Sequence, residues 1–288
     1  MKHIFILKPT KDQQFINGII TIMKGYQYIF RYTKDIHDAY TIAKEYHDSI
    51  EVCRLYAVGG DGFVHNVANG MVGSNNELVV LPLGTGNDYV RNIFDTKDPL
   101  EILKQSLSLM ACPVDLIKVN DVYCINVLCC GLDAQVANVV NQRKDVKYIP
   151  KPLQYMYSIF KQVIHLKFYP TTINDGKQII YDDEVVVCAF CKGKYFGGGF
   201  KIANEAKLDD GYIDINIIGN INKRELPRYL KALFTYKLNE TENYHHYRLK
   251  AIDLNSSQQI NIDGEILPKG LYHLEIASKA IKLVGYQK

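Results

Sequence analysis

Two glycine-rich turns, each set between a short apolar run and a helical pattern, restrict this chain more than any other feature of its sequence. The first, Gly59-Gly60-Asp61-Gly62, follows Leu55-Tyr56-Ala57-Val58 and leads into a helical stretch from Phe63 to Met71. The second, Pro82-Leu83-Gly84-Thr85-Gly86-Asn87-Asp88, follows the apolar run 78–81 and leads into another helix near Tyr89. Glycine permits positive φ and puts no Cβ between backbone and ligand, so main-chain N–H groups can face a phosphate. A helix start behind such a turn adds the positive end of its dipole. The pattern predicts a nucleotide binder or a nucleotide phosphotransferase.

The surrounding periodicity places these turns in a fold. Strand signals at 3–7, 28–32, 54–58 and 78–81 alternate with helical ones at about 12–24, 35–49 and 98–110. In the 35–49 stretch, Ile36, Ala39, Tyr40 and Ala43 share a face. This order predicts a parallel, Rossmann-like sheet, in which ligands sit outside the carboxyl ends of the strands. The pattern changes after about Asp115. Strand-like runs at 122–129, 178–191, 212–218, 248–254, 258–263 and 270–277 follow one another, separated by turns such as Asn174-Asp175-Gly176, Asp209-Asp210-Gly211 and Asp263-Gly264. The expectation is α/β plus β. A Rossmann-like nucleotide-binding domain spans 1–116 and is completed by about 278–288, where the strand Ala280 to Tyr286 returns to it. An antiparallel β-sandwich spans 117–277, with helices inserted at about 152–166 and 222–236.

Composition narrows the function classes. A net charge of +3 on 288 residues gives no argument for nucleic acid, and no apolar run approaches a membrane span. The apolar start at Ile4-Phe5-Ile6-Leu7 is too short for a signal peptide and reads as a first strand, which points to the cytoplasm. Seven cysteines, at 53, 112, 124, 129, 130, 188 and 191, have no framework spacing and read as buried thiols. Cys188 and Cys191 fall three apart on one strand and so point to opposite faces. His245-His246, in a polar loop, has no third ligand at metal spacing.

The chemistry-bearing residues admit plain readings and functional ones. Asp61 is a carboxylate beside the expected phosphates, a costly placement unless a metal ion or its waters intervene; it also suits a turn aspartate bonded to backbone. Asp88 suits the same function or an N-cap for the helix that follows. Glu265 ends an Asp-Gly turn and by composition is an exposed hairpin glutamate. Asp209-Asp210-Gly211 reads as a type I or I′ turn.

The stretch Gly59 to Gly70 resembles the signature of the diacylglycerol kinase catalytic domain, whose superfamily also holds sphingosine and ceramide kinases and, more distantly, NAD kinases. Pro82 to Arg91 is similar to the Pro-x-Gly-Thr-x-Asn-Asp pattern of its lipid-kinase branch. Asp115-Leu116 followed by Asn126-Val127 and Gly131, then Phe196-Gly197-Gly198-Gly199-Phe200 with Ala206 to Gly211, then Ile262-Asp263-Gly264-Glu265, continue the match in order. The overall length resembles that of the soluble bacterial members.

The resemblance implies an ATP-dependent lipid kinase that phosphorylates a neutral lipid such as diacylglycerol to give phosphatidic acid. A sphingoid base or another acceptor, or a silent nucleotide- or lipid-binding regulator, are the alternatives. ATP would be held by Lys8, Pro9, Thr10, Thr33, Gly59, Gly60, Asp61, Gly62, Phe63, Val64, His65, Asn66, Thr85, Gly86, Asn87 and Asp88. Glu265 would be the general base, with Asp61, Asp88 and Asp115 in a water-mediated Mg2+ network. A second, structural Mg2+ would take the Asp210 carboxylate and the backbone carbonyls of Lys207 and Tyr212. Lys8, Phe63, Asn66 and Asn204 depart from the family pattern. The implied partner is lipid at a membrane surface, approached by an amphipathic helix over 151–167, and the chain is compatible with a homodimer. Neither loop has the Gly-x-Gly-x-x-Gly spacing of a nicotinamide site.

Overall fold

The apolar runs ahead of the two glycine turns become neighbouring parallel strands. In the computed structural model, which describes residues 1–35, 37–131 and 168–287, β3 (Cys53–Gly59) pairs with β4 (Glu77–Pro82) so that Gly59 lies opposite Pro82. β3 also pairs with β1 (Lys2–Leu7), and β1 with β2 (Tyr28–Tyr32), all parallel. Ile4, Phe5, Leu55, Tyr56, Leu78 and Val79 are fully buried, the continuous burial of strands covered on both faces. The covering helices are α1 (Gln13–Ile22), α2 (Asp38–Glu45), α3 (Asp61–Met71) and α4 (Pro99–Ser106). α3 meets α2 closely at Gly70, and α1 meets α4 at Gly18. The strand order is β2-β1-β3-β4. Right-handed crossovers therefore put α1 on the opposite face from α2 and α3, and the order reverses between β1 and β3. That reversal is the switch point at which such sheets bind ligands.

This first compact unit comprises Met1–Leu116 with Ser278–Lys288; the second is Ile117–Ala277. β5 (Ala111–Val119) runs from one into the other.

In the second unit the strands pair antiparallel. They are β6 (Val122–Cys124), β7 (Val127–Gly131), β8 (Tyr169–Asn174), β9 (Ile179–Cys191), the short pair β10 (Tyr195–Phe196) and β11 (Phe200–Lys201), β12 (Ile213–Gly219), β13 (Tyr244–Leu249), β14 (Ala251–Ser256), β15 (Ile260–Ile262) and β16 (Glu265–Leu267). The first half of β9 pairs with β8, and its second half lies between β7 and β12. One face of that second half packs into the sandwich core with Leu128, Ile215 and Leu254. The other packs with Val127 and Tyr229, the latter from the helix Leu226–Phe234. Cys188 falls in the first layer and Cys191 in the second, as the strand period requires, and none of the seven cysteines is in a disulfide. β17 (Gly270–Val284) pairs antiparallel with β14 over 270–275 and parallel with β4 at Lys282 and Leu283.

Several expectations change. The helix near Tyr89 is a single 3₁₀ turn, Tyr89–Asn92. The run 122–129 breaks into two strands at Ile125-Asn126, because those amides turn toward the Asp263 carboxylate. The run 248–254 is split between β13 and β14, and His245-His246 lies on β13 rather than in a loop. The runs 270–277 and 280–286 are one strand, and β8 is an addition. In α2, Ile42 joins Ala39 and Ala43 inside while Tyr40 is exposed. The stretch 152–166 lies outside the described residues, as does Ile36.

Candidate active site

The register brings the ends of four parallel strands level. Leu7 lies opposite Tyr32 and Val58, and Gly59 opposite Pro82. The loops carrying Lys8-Pro9-Thr10, Thr33, Gly59–Gly62 and Leu83–Asp88 therefore leave one edge of the sheet, beside the switch point.

The two glycine turns touch backbone to backbone. A Cβ on Gly84 would lie 2.5 Å from the Gly60 Cα, and one on Gly60 would lie 3.1 Å from the Gly84 Cα. Only glycine at position 84 lets the loops meet unchanged, while a methyl group at position 60 would press them apart by a few tenths of an ångström. Three further links hold them. Leu83 N donates to Gly59 O at 2.9 Å. Asn87, with φ +50, accepts from Gly84 N and donates to Gly84 O, both at 2.9 Å. The Asp61 carboxylate accepts from the amides of Asp88 at 2.9 Å and Tyr89 at 3.0 Å. Asp61 thus caps the turn at Tyr89, the role the sequence offers to Asp88, whose own side chain makes no cap bond. Asn87 shapes the loop with its side chain.

α3 starts at Gly60 with no side-chain cap, which leaves the first amides of a helix suited to an anion. The side chains of Phe63, Val64 and His65 are buried, Phe63 against Gly59, so these three could meet a nucleotide only through main chain. Asn66 donates to Gly62 O at 2.9 Å. Phe63 and Asn66, departures from the family pattern, are thus accommodated by packing and by a local bond. Lys8, Pro9 and Thr85 are exposed, and Thr10 accepts from Asp12 N at 3.1 Å. Thr33 donates its amide to Leu7 O, while its buried hydroxyl has no hydrogen-bond partner among the described residues. A strand-end cap would use that hydroxyl; an approaching ligand oxygen would satisfy it.

The carboxylates of Asp61 and Asp88 converge on Gly86. A Cβ there would lie 3.1 Å from Asp61 Oδ2 and 3.5 Å from Asp88 Oδ2. Arg91 Nε stands 3.4 Å from Asp88 Oδ1. Lys97, a cation that sequence reasoning missed, lies nearby. Burial, then Arg91, lowers its pKa, against the pull of Asp88 and Asp61. Two carboxylate oxygens over a position without a Cβ fit a hard cation or its bound waters. Asp115, buried on β5, accepts from Lys279 N at 2.9 Å.

In the second unit, Asp263 (φ +51) and Gly264 (φ +101) form the two-residue hairpin between β15 and β16, with the signs of a type I′ turn. Glu265, half-buried, opens β16 opposite Ile262. The Asp263 carboxylate accepts from the amides of Ile125 at 2.7 Å, Asn126 at 2.9 Å and Val127 at 3.1 Å. Asp263 is thus the fastening of the hairpin that carries Glu265.

The turn at Asp209-Asp210-Gly211 differs from expectation. Asp209 and Asp210 lack positive φ, which removes the type I′ alternative. Asp210 Oδ1 accepts from Lys192 Nζ at 3.0 Å, and the Tyr212 carbonyl accepts from the same ammonium at 2.9 Å. Asp210 also pairs with the Arg248 guanidinium. Lys207 is exposed. Two of the three donors expected to hold a structural Mg2+ therefore converge on a lysine. A dication about 4 Å from an ammonium is opposed by roughly 8 kcal/mol at an effective dielectric near 20. These residues do not fit the metal.

Lys192 and Arg248 went unseen in the sequence. The one signal is a lysine closing the apolar run Val185 to Cys191. Behind them, Asp214 is buried and bonds His246 Nε2 at 3.0 Å. Burial raises its pKa, while His246 and Arg248 hold it down.

Comparison with known proteins agrees with this architecture. Residues 9–119 match the model of the diacylglycerol kinase catalytic domain, and residues 126–285 that of the YegS C-terminal NAD kinase beta sandwich-like domain. The chain belongs to the diacylglycerol kinase-like lipid kinase family. A Shewanella frigidimarina protein named "Probable lipid kinase YegS-like" is 29% identical over 81% of this chain and 76% of its own. A Staphylococcus aureus diacylglycerol kinase is 29% identical over 94% of this chain and 89% of its own. A crystal structure of a Bacillus anthracis diacylglycerol kinase shares the fold at TM-score 0.79, with 21% identity over 99% of this chain and 96% of that one. The family consists of kinases that use ATP as phosphoryl donor. Among the described residues no helix is long and apolar enough to cross a membrane.

Proposed function

We propose that this lipid kinase family member transfers the γ-phosphoryl group of ATP to the hydroxyl of a neutral lipid, diacylglycerol, giving phosphatidic acid. The observation that carries the reading is the backbone contact between Gly60 and Gly84, locked by Asp61 across the two loops. It sets two runs of main-chain amides and a helix start side by side, the arrangement a polyphosphate requires. The unsatisfied Thr33 hydroxyl at the same sheet edge supports it. Asp61 and Asp88, with Asp115, would hold Mg2+ through water, and Mg2+ would supply charge neutralisation for the triphosphate. The protein's own part is chiefly positioning, as phosphoryl transfer demands. Glu265 acts as general base. It takes the hydroxyl proton as the lipid oxygen bonds to the γ-phosphorus and the bond to the β–γ bridging oxygen breaks. A lipid acceptor would place this work at the cytoplasmic membrane surface.

The test is a transfer assay with labelled ATP in mixed micelles across diacylglycerol, a sphingoid base and other alcohols, with Asp61→Ala as control. Diacylglycerol should be the preferred acceptor. Glu265→Gln should bind ATP normally and lose roughly 10²–10⁴-fold in turnover. Unchanged turnover removes Glu265 from the reaction. Preference for another acceptor reassigns the substrate, and ATP binding without transfer to any acceptor makes the protein a regulator.

A further inference from the structure

The turn carrying Asp210 is built around a cation that belongs to the polypeptide. Lys192 is 0% exposed, and lysine is almost never buried so completely unless it is paired. Its ammonium donates to Asp210 Oδ1 and to the Tyr212 carbonyl. The Tyr212 amide closes onto the same Asp210 oxygen at 3.2 Å. On the outer side Arg248 pairs with Asp210, stands 3.4 Å from Asp214 and lies 4.9 Å over the Tyr212 ring. Two carboxylates, Asp210 and Asp214, thus face two permanent cations, Lys192 and Arg248, and the charge is already balanced. A divalent ion added here would leave two positive charges uncompensated. It would also have to displace the ammonium from the oxygens it needs.

We infer that Lys192 is the resident cation of this turn and that the turn is held without a structural metal ion. The backbone confirms how the lysine is placed. Lys192 N and Gly193 N both donate to Asn126 O. The residue leaves β9 pinned at its main chain, and its side chain runs inward to Asp210. A tethered ammonium is present at every concentration of free cation, so the order of this turn does not follow magnesium supply. The inference is independent of the transfer reaction and of its acceptor.

The test is thermal unfolding of the nucleotide-free protein in millimolar Mg2+ and in EDTA, with isothermal titration of Mg2+ alone. In Asp61→Asn protein, which lacks the carboxylate pair of the first unit, the midpoint should be the same in both and titration should show no stoichiometric binding. Lys192→Met should lower the midpoint by at least about 5 °C, because the half-buried Asp210 carboxylate and the Tyr212 carbonyl both lose a charged donor. Lys192→Asn, with its shorter side chain, should recover part of its loss on adding Mg2+. An Asp61→Asn midpoint that falls in EDTA and returns with Mg2+ would overturn the inference. So would a Lys192→Met midpoint equal to that of the wild type. The Asp61→Asn comparison decides the matter even where Lys192→Met does not fold.

Discussion

A single residue separates a nucleotide site from a decorated sheet edge in the first unit. Thr33 keeps a buried hydroxyl with no hydrogen-bond partner among the described residues, a costly arrangement that a ligand oxygen would relieve. Thr33→Val should therefore leave the apo protein equally or more stable and weaken ATP binding about tenfold, read by thermal unfolding alongside nucleotide titration. Equal affinity in the variant would show that the hydroxyl meets no ligand. Legibility at this scale is uneven. Asp61 stood out among glycines because a carboxylate there needs a reason, though its bond to the Asp88 and Tyr89 amides is a contact across 27 and 28 residues that no local pattern encodes. Lys192 was illegible because its meaning depends on Asp210 and Tyr212, brought to it only once β9 and β12 pair.

At the scale of elements, strand, turn and helix along the first unit follow from apolar runs and glycines, because each signal is local. The turn at Tyr89 did not, because its capping carboxylate comes from another loop and no local pattern encodes it. The two glycine loops act as one element, and their tolerance should be unequal. A methyl group on Gly84 meets the Gly60 Cα at 2.5 Å and Asn87 Oδ1 at 2.8 Å, whereas one on Gly60 meets the Gly84 Cα at 3.1 Å. Gly84→Ala should cost about 1–3 kcal/mol and most of the ATP affinity, and Gly60→Ala clearly less. Denaturant unfolding and nucleotide titration of both variants check the order; equal effects would mean that the loops part without strain.

Across the whole molecule, the division into an α/β unit and a β unit was legible from the change of periodicity after Asp115. So was the return of the last strand to the first unit; its continuity with the run 270–277 was not, since the partners of β17, β14 and β4, lie far apart in the sequence. One global property can be stated with its sign. His3 is buried, with its ring 2.8 Å from the Tyr56 hydroxyl, and its pKa is lowered to about 4 by desolvation, then by Arg54. The folded protein thus holds this ring neutral where the unfolded chain protonates it. The stabilisation from His3 is complete above about pH 6.5 and is lost as pH falls toward 4, on the order of 3 kcal/mol in all. Unfolding midpoints measured across that range should fall, and His3→Gln should flatten the difference. Parallel slopes for the two proteins would assign the acid sensitivity elsewhere.

The β17 connection bears on how the protein is made. Lys282 and Leu283 cover the free side of β4 at Glu77 and Leu78, yet the ribosome delivers them only after all of residues 117–277. Until then the nascent sheet exposes the free edge of the apolar strand β4, the kind of edge that recruits other chains. Translation rate and chaperone supply should therefore govern the yield of this protein more than the stability of either finished unit.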